Sequence, residues 1–168
     1  MIKYLGSKRT LIPVLSQLGQ ASGANTALDL FTGTTRVAQA FKKLGMTVTA
    51  SDVASYAECF GKTWIELNAD STNRSELALA LAELDCLPGE AGYFTQKFCV
   101  EARYFQPKNG ERVDAIREKI ESDYRDTWLY YPLLTSLILA ADRVVSTTGI
   151  QMAFLKGRAS RSGNRLEM

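Results

Sequence analysis

The stretch from Asn25 to Asp52 constrains this chain more than any other. Thr26-Ala27-Leu28-Asp29-Leu30 is a short apolar run of the kind a buried parallel strand shows. Phe31-Thr32-Gly33-Thr34-Thr35 then turns the chain. From Arg36 to Leu44, Val37, Ala38, Phe41 and Leu44 recur at helical spacing, and Gly45 stands where a left-handed C-cap belongs. Thr47-Val48-Thr49-Ala50-Ser51 alternates and is rich in β-branched residues, which predicts a second strand ending at Asp52. A strand, helix and parallel strand joined in this way form a right-handed crossover, and such sheets bind ligands at the carboxyl ends of their strands.

The loop has a specific chemistry. Gly33 carries no side chain, so a ligand can approach its backbone. Thr34 and Thr35 open the helix, where unbonded N–H groups favour a negative group. Asp52 follows Gly33 by 19 residues and can accept hydrogen bonds from ribose hydroxyls. A full Gly-x-Gly-x-x-Gly is absent, so a pyrophosphate has too little backbone room, and a nucleoside with a small carboxylate tail fits better. S-adenosylmethionine is such a molecule. An ordinary crossover with a capping Thr and a surface Asp has the same pattern, and spacing alone leaves both readings open.

The chain has no histidine, which excludes Ser-His-Asp triads, Cys-His pairs and His-based zinc catalysis. Its 168 residues suffice for one domain with a real core, and a net charge of +2 is too small to argue for nucleic acid by itself. Cys59, Cys86 and Cys99 have no Cys-x-x-Cys spacing, so no metal site and a reduced cytoplasmic compartment are expected. No apolar run is long enough to span a bilayer, and no signal-peptide pattern opens the chain, so no membrane partner is expected.

Elsewhere, Met1–Leu5 reads as extended, Gly6-Ser7 as a turn, and a helix as starting near Ile12 because Pro13 is tolerated only in a first turn. Tyr4 and Lys8 could flank a ligand, although a plain N-terminal arm with a solvated Lys is the simpler reading. Ala54–Leu67 reads as a helix with a core stripe of Tyr56, Phe60, Trp64 and Leu67. Asn73-Arg74-Ser75-Glu76 resembles a capping box ahead of a helix to Leu84. Between Tyr93 and Phe105, aromatic residues interleave with Lys97 and Arg103, a pattern that serves packing or nucleic-acid binding equally. Asn109-Gly110 is expected to precede an amphipathic helix whose charges form a solvated face. Pro132 is expected to open an apolar, buried helix to about Val145, ended by Thr147-Thr148-Gly149. The stretch from Lys156 to Met168, with Arg158, Arg161 and Arg165, reads as a phosphate contact or a frayed tail.

Taken together, the segments resemble the Dam-like class of adenine-specific DNA methyltransferases. Tyr4-Leu5-Gly6-Ser7-Lys8 is similar to that class's N-terminal cofactor motif, Asp29-Leu30-Phe31-Thr32-Gly33 to its main S-adenosylmethionine loop, and Ser51-Asp52 to its ribose-binding position. Tyr104-Phe105 through Asn109-Gly110 to Asp114-Ala115-Ile116-Arg117, and Ala141-Asp142-Arg143 through Thr148-Gly149 to Phe154-Leu155-Lys156, resemble the same branch. The resemblance implies an α/β chain, a partial Rossmann-like S-adenosylmethionine-dependent methyltransferase fold with a largely helical recognition insertion. Residues 1–69 would form the cofactor-binding part, 70–154 the recognition region and 155–168 a basic tail. It implies Tyr4, Gly6, Lys8, Asp29, Phe31, Gly33, Thr34, Asp52 and Val53 at the cofactor. It implies Arg103, Lys108, Lys156 and Arg158 at double-stranded DNA.

One departure from the class is plain. Its catalytic signature, Asp/Asn-Pro-Pro-Tyr/Phe, holds the target amine and stacks on a flipped base. Here Pro13, Pro88, Pro107 and Pro132 are all isolated, so no catalytic residue is assigned. The expectation is an N-terminal part that is inactive or nearly so alone, a non-catalytic remnant, or one half of a split enzyme. In the class, the strand bearing that signature pairs beside the first cofactor strand. Thr26–Leu30 is therefore expected to have an open apolar edge, covered by another chain or a second copy.

Overall fold

The computed structural model describes residues 8–147, 157 and 159–168. The expectations for Met1–Ser7 and for Thr148–Lys156 lie outside these residues. Residues Gly6–Thr72 and Asn73–Met168 belong to two compact units.

In the first unit a 3-10 turn, Lys8–Leu11, leads into α1 (Ile12–Ser22), with Pro13 in the opening turn where its missing N–H costs nothing. β1 (Thr26–Leu30) and β2 (Thr47–Ser51) pair in parallel, Thr26 opposite Thr47 and Leu30 opposite Ser51. Their crossover helix is α2 (Arg36–Lys43), which buries Val37, Ala38 and Ala40 and packs on both strands. The chain leaves α2 through Gly45 at φ 82°, the left-handed conformation that position predicts. α1 lies close to this layer at Gly19, where a Cβ would stand 3.1 Å from Phe41 Cε1 and 3.3 Å from Met46 Cε. The other face of the sheet is open: Leu28 and Leu30 are 59% and 55% exposed. Among the described residues the sheet has two strands.

The helix expected over Ala54–Leu67 forms as α3 (Ser55–Gly61) and continues as a wider π-helical stretch, Lys62–Glu66. Phe60 is fully buried, 5.8 Å edge-on from Tyr56 and stacked at 4.7 Å on Trp64, as the stripe predicts. Lys42 Nζ donates to the carbonyls of Ile65 and Leu67, both at 2.7 Å, and so caps the end of the π-helical stretch.

The second unit is helical: α4 (Arg74–Asp85), a π-helical stretch Thr95–Glu101, α5 (Pro107–Tyr124), α6 (Tyr130–Val144) and a 3-10 turn Ser160–Gly163. Leu84, Ile116, Ile120, Leu133 and Leu166 are fully buried at its core. Half of the expected capping box forms. Asn73 Oδ1 accepts the Glu76 amide at 3.2 Å, but the Glu76 carboxylate accepts the Trp128 indole N–H at 3.1 Å instead of turning back.

Three expectations for this region are corrected. Asn109-Gly110 does not precede α5 but lies inside it, because Pro107 supplies the pre-set first position. Gly110 is there for packing: a Cβ would stand 2.2 Å from Cys99 Sγ, so only glycine lets the π-helical stretch lie on α5. The charges of α5 are not simply a solvated face, since Arg112 is buried and Asp114 accepts from Gly92 N, Phe94 N, Thr95 N and Thr95 Oγ1 at 2.7–2.9 Å. Burial would raise the Asp114 carboxyl, but these donors outweigh it and hold the group below its ordinary range. The segment 159–168 is also no frayed tail. Asn109 Nδ2 donates to the carbonyls of Ser162 and Asn164, Asn109 Oδ1 accepts the Leu166 amide at 2.9 Å, and Leu166 is fully buried. Among the described residues no helix is long and apolar enough to cross a membrane.

Candidate functional site

The site lies in the first unit, where β1 and β2 end side by side. Thr32 N donates to Ser51 O at 3.0 Å and extends the pairing one step past the strands. The loop then bends hard. Phe31, Gly33 and Thr35 have φ of 56°, 52° and 57°. Glycine takes this region freely, but a β-branched residue does so only under constraint, at about 1–3 kcal/mol. Thr35 is constrained by full burial, by its amide on Thr32 O at 2.8 Å and by Gln39 Nε2 donating to its hydroxyl at 2.8 Å.

Asp29 anchors the loop. Its buried Oδ2 accepts from Thr32 Oγ1 at 2.7 Å and from the Ala38 amide at 3.1 Å, while Lys8 Nζ stands 3.5 Å from Oδ1. One carboxylate thus ties strand end, loop, helix start and the N-terminal turn together. The sequence places Thr32 in the loop, Thr35 at the helix start and Ala38 on its apolar stripe, but no spacing announces the bonds that tie them into this network.

Asp52 spans the two strand ends. Its Oδ2 accepts the Gly33 amide at 2.8 Å and its Oδ1 the Ala54 amide at 3.0 Å. The amides of Ala54 and then Gly33 hold its carboxyl below the usual 3.8. A carboxyl depressed on folding stabilises the fold above its unfolded value, and that contribution is lost as pH falls through the folded value. The stability gap between the native chain and Asp52→Asn is therefore expected to be full at neutral pH and to shrink below about pH 4. Denaturant melts across that range check it, and a gap that stays constant rules the linkage out.

Around these anchors the chain leaves groups available. The amides of Thr34, Arg36 and Val37 have no protein acceptor among the described residues. Phe31 and Val53, which follow the two strands, are 75% and 96% exposed. A cleft of about 630 Å3 lies beside β2, lined among others by Ala50, Asp52, Val53, Ala57, Glu58 and Lys62. The structure thus brings Lys8, Asp29, Phe31, Gly33, Thr34, Asp52 and Val53 to one end of the sheet, while Tyr4 and Gly6 lie outside the described residues.

Comparison with known proteins gives the family of the chain. The family model for D12 class N6 adenine-specific DNA methyltransferases matches residues 4–168. The chain belongs to this family. Two relatives agree. The type II methyltransferase M.NlaIII of Neisseria lactamica is 32% identical over 168 residues, covering 92% of this chain and 49% of its own length. The modification methylase StsI of Streptococcus sanguinis is 34% identical over 184 residues, covering 99% of this chain and 28% of its own length. The chain therefore spans about half or less of the relatives it matches. No solved structure matches it.

The basic residues that the sequence singles out in the second unit are partly engaged in the fold. Arg103 is exposed at a turn with φ 57°. Lys108, in the first turn of α5, donates from Nζ to Gly163 O. Arg161 Nε donates to Val145 O at 3.0 Å, and Arg165 is bound to the Asp85 carbonyl and carboxylate. Lys156 and Arg158 lie outside the described residues.

Proposed function

We propose that this chain supplies the cofactor-binding and DNA-contacting parts of an enzyme that transfers methyl from S-adenosylmethionine to the exocyclic amine of adenine in double-stranded DNA. The observation that carries the reading is the Gly33–Asp52 pair at the ends of two adjacent parallel strands, 2.8 Å apart, beside amides without a protein acceptor. These groups fit the cofactor's parts. The open amides at the start of α2 and the half-exposed Lys8 ammonium suit a carboxylate. Each Asp52 oxygen retains a lone pair beyond its amide bond and can accept a ribose hydroxyl. Val53 at the rim of the cleft offers apolar contact to a purine. Bound there, the cofactor would supply an electrophilic methyl group.

Asp29 serves this reading as a positioning residue, because its bonds to Thr32 and Ala38 fix the loop. The open face around Leu28 and Leu30 supports a Rossmann-like fold with a further layer on that face, since parallel sheets are ordinarily covered on both faces.

Calorimetric titration tests the assignment. S-adenosylmethionine is expected to bind the chain saturably, and Asp52→Ala to weaken it by about tenfold, or 1.4 kcal/mol. A cofactor analogue lacking the ribose hydroxyls should bind the native chain weakly and show little further loss with Asp52→Ala, as a coupled pair requires. Equal losses for both ligands would remove Asp52 from the ribose.

A further inference from the structure

We propose that the Arg103–Tyr104 tip of the second unit is a rigid contact for the DNA sugar-phosphate backbone, which positions the duplex without reading its sequence. The inference rests on double-stranded DNA being the substrate. Arg103 has φ 57°, a conformation glycine adopts freely and arginine does not. Its side chain is exposed and makes no ion pair or side-chain hydrogen bond among the described residues. The fold thus carries an arginine where glycine would serve the backbone better, and the fold itself does not use the side chain.

The tip is also held still. Tyr104 N and Phe105 N both donate to Phe98 O, at 2.8 and 3.3 Å, and Ser146 N donates to Tyr104 O at 2.7 Å. The Tyr104 ring beside it is 43% exposed. A pinned backbone presenting a guanidinium and a phenol loses little entropy when it meets a partner. A guanidinium matches phosphate oxygens bidentately, and a tyrosine hydroxyl is a common second donor to the backbone. Base reading is disfavoured because Arg103 sits on an irregular turn, not on a helix or ribbon that could enter a groove. The nearby Lys97 is paired with Glu101 at 3.0 Å, so the contact should count as one charge.

The test uses the whole chain, two unrelated labelled duplexes and fluorescence anisotropy over a range of salt. Arg103→Gly should weaken both duplexes severalfold and by the same factor, and should reduce the slope of log affinity against log salt by about 1. Its melting temperature should be no lower than that of the native chain, and Arg103→Lys should keep most of the affinity. Unchanged affinity with Arg103→Gly, an unchanged salt slope or a lowered melting temperature overturns the inference. Unequal losses on the two duplexes would mean base reading and also overturn it. A native chain that binds neither duplex at low salt instead removes the DNA reading on which it stands.

Discussion

Arg112→Ala is expected to destabilise the second unit by about 2–5 kcal/mol, from about 1–3 kcal/mol for each buried carbonyl left without a donor. The guanidinium is buried, and each of its three nitrogens donates. Nε donates to Leu166 O at 3.0 Å, Nη1 to Leu87 O at 2.9 Å, and Nη2 to Asp85 O at 3.0 Å and Asp85 Oδ1 at 2.9 Å. Removing it strands the Leu87 and Leu166 carbonyls, while the Asp85 carbonyl and carboxylate keep Arg165 and the Met168 amide. Asp85 is partly exposed, so its Coulomb attraction is screened, and the stranded carbonyls carry most of the effect. Arg112→Lys should recover little, because a single ammonium cannot satisfy acceptors on three sides. Urea melts give the magnitude. Hydrogen exchange gives the location: the Leu166 amide, bonded to Asn109 Oδ1, should lose protection first. A loss under about 0.5 kcal/mol, the size of an ordinary surface substitution, would show that the network is dispensable.

Arg112 also shows where sequence reading stops. On α5 the apolar stripe of Val113, Ile116 and Ile120 was legible from period alone, and all three are buried. The burial of Arg112 was not, because its acceptors stand 25, 27 and 54 residues away, at Leu87, Asp85 and Leu166. Asn109-Gly110 misled for a related reason. The pair is a turn signal locally, but Gly110 answers to Cys99 on another element. The β1–α2–β2 crossover was legible throughout, because each step there is local: an apolar run, a helical period, Gly45 at positive φ and a β-branched run. At the site, the positions were legible and the bonding was not. Thr35 is the clearest case, since nothing in a β-branched residue announces a left-handed backbone. The resemblance implies Asp29 at the cofactor, and what no spacing gives is that its carboxylate is bonded into the loop there.

That bonding makes Asp29→Ala the second large effect. The substitution removes the acceptor of Thr32 Oγ1 and of the Ala38 amide, and the partner of Lys8, all at a buried point. Hydrogen bonds to a charged acceptor contribute about 1.5–3 kcal/mol each, and the half-exposed Lys8 adds little, so a loss of about 3 kcal/mol is expected in the first unit. The function should suffer beyond this. The strained φ values of Phe31 and Thr35 persist only while the loop is tied on both sides, and Asp29 is the buried strand-side tie beside Thr32 N on Ser51 O and Gly33 N on Asp52. Released, the loop relaxes, and S-adenosylmethionine affinity should fall by tenfold or more even where the chain remains folded. Thr32→Val is the graded control: it removes one donor and keeps the anion, so about 1 kcal/mol and a small change in affinity are expected. Asp29→Asn should fall between the two, because the amide keeps one acceptor but turns a donor toward Lys8. Thermal melts and cofactor titrations on the three variants separate stability from pocket geometry. If Asp29→Ala melts and binds as the native chain does, the loop is held by its own backbone and Asp29 is not its anchor.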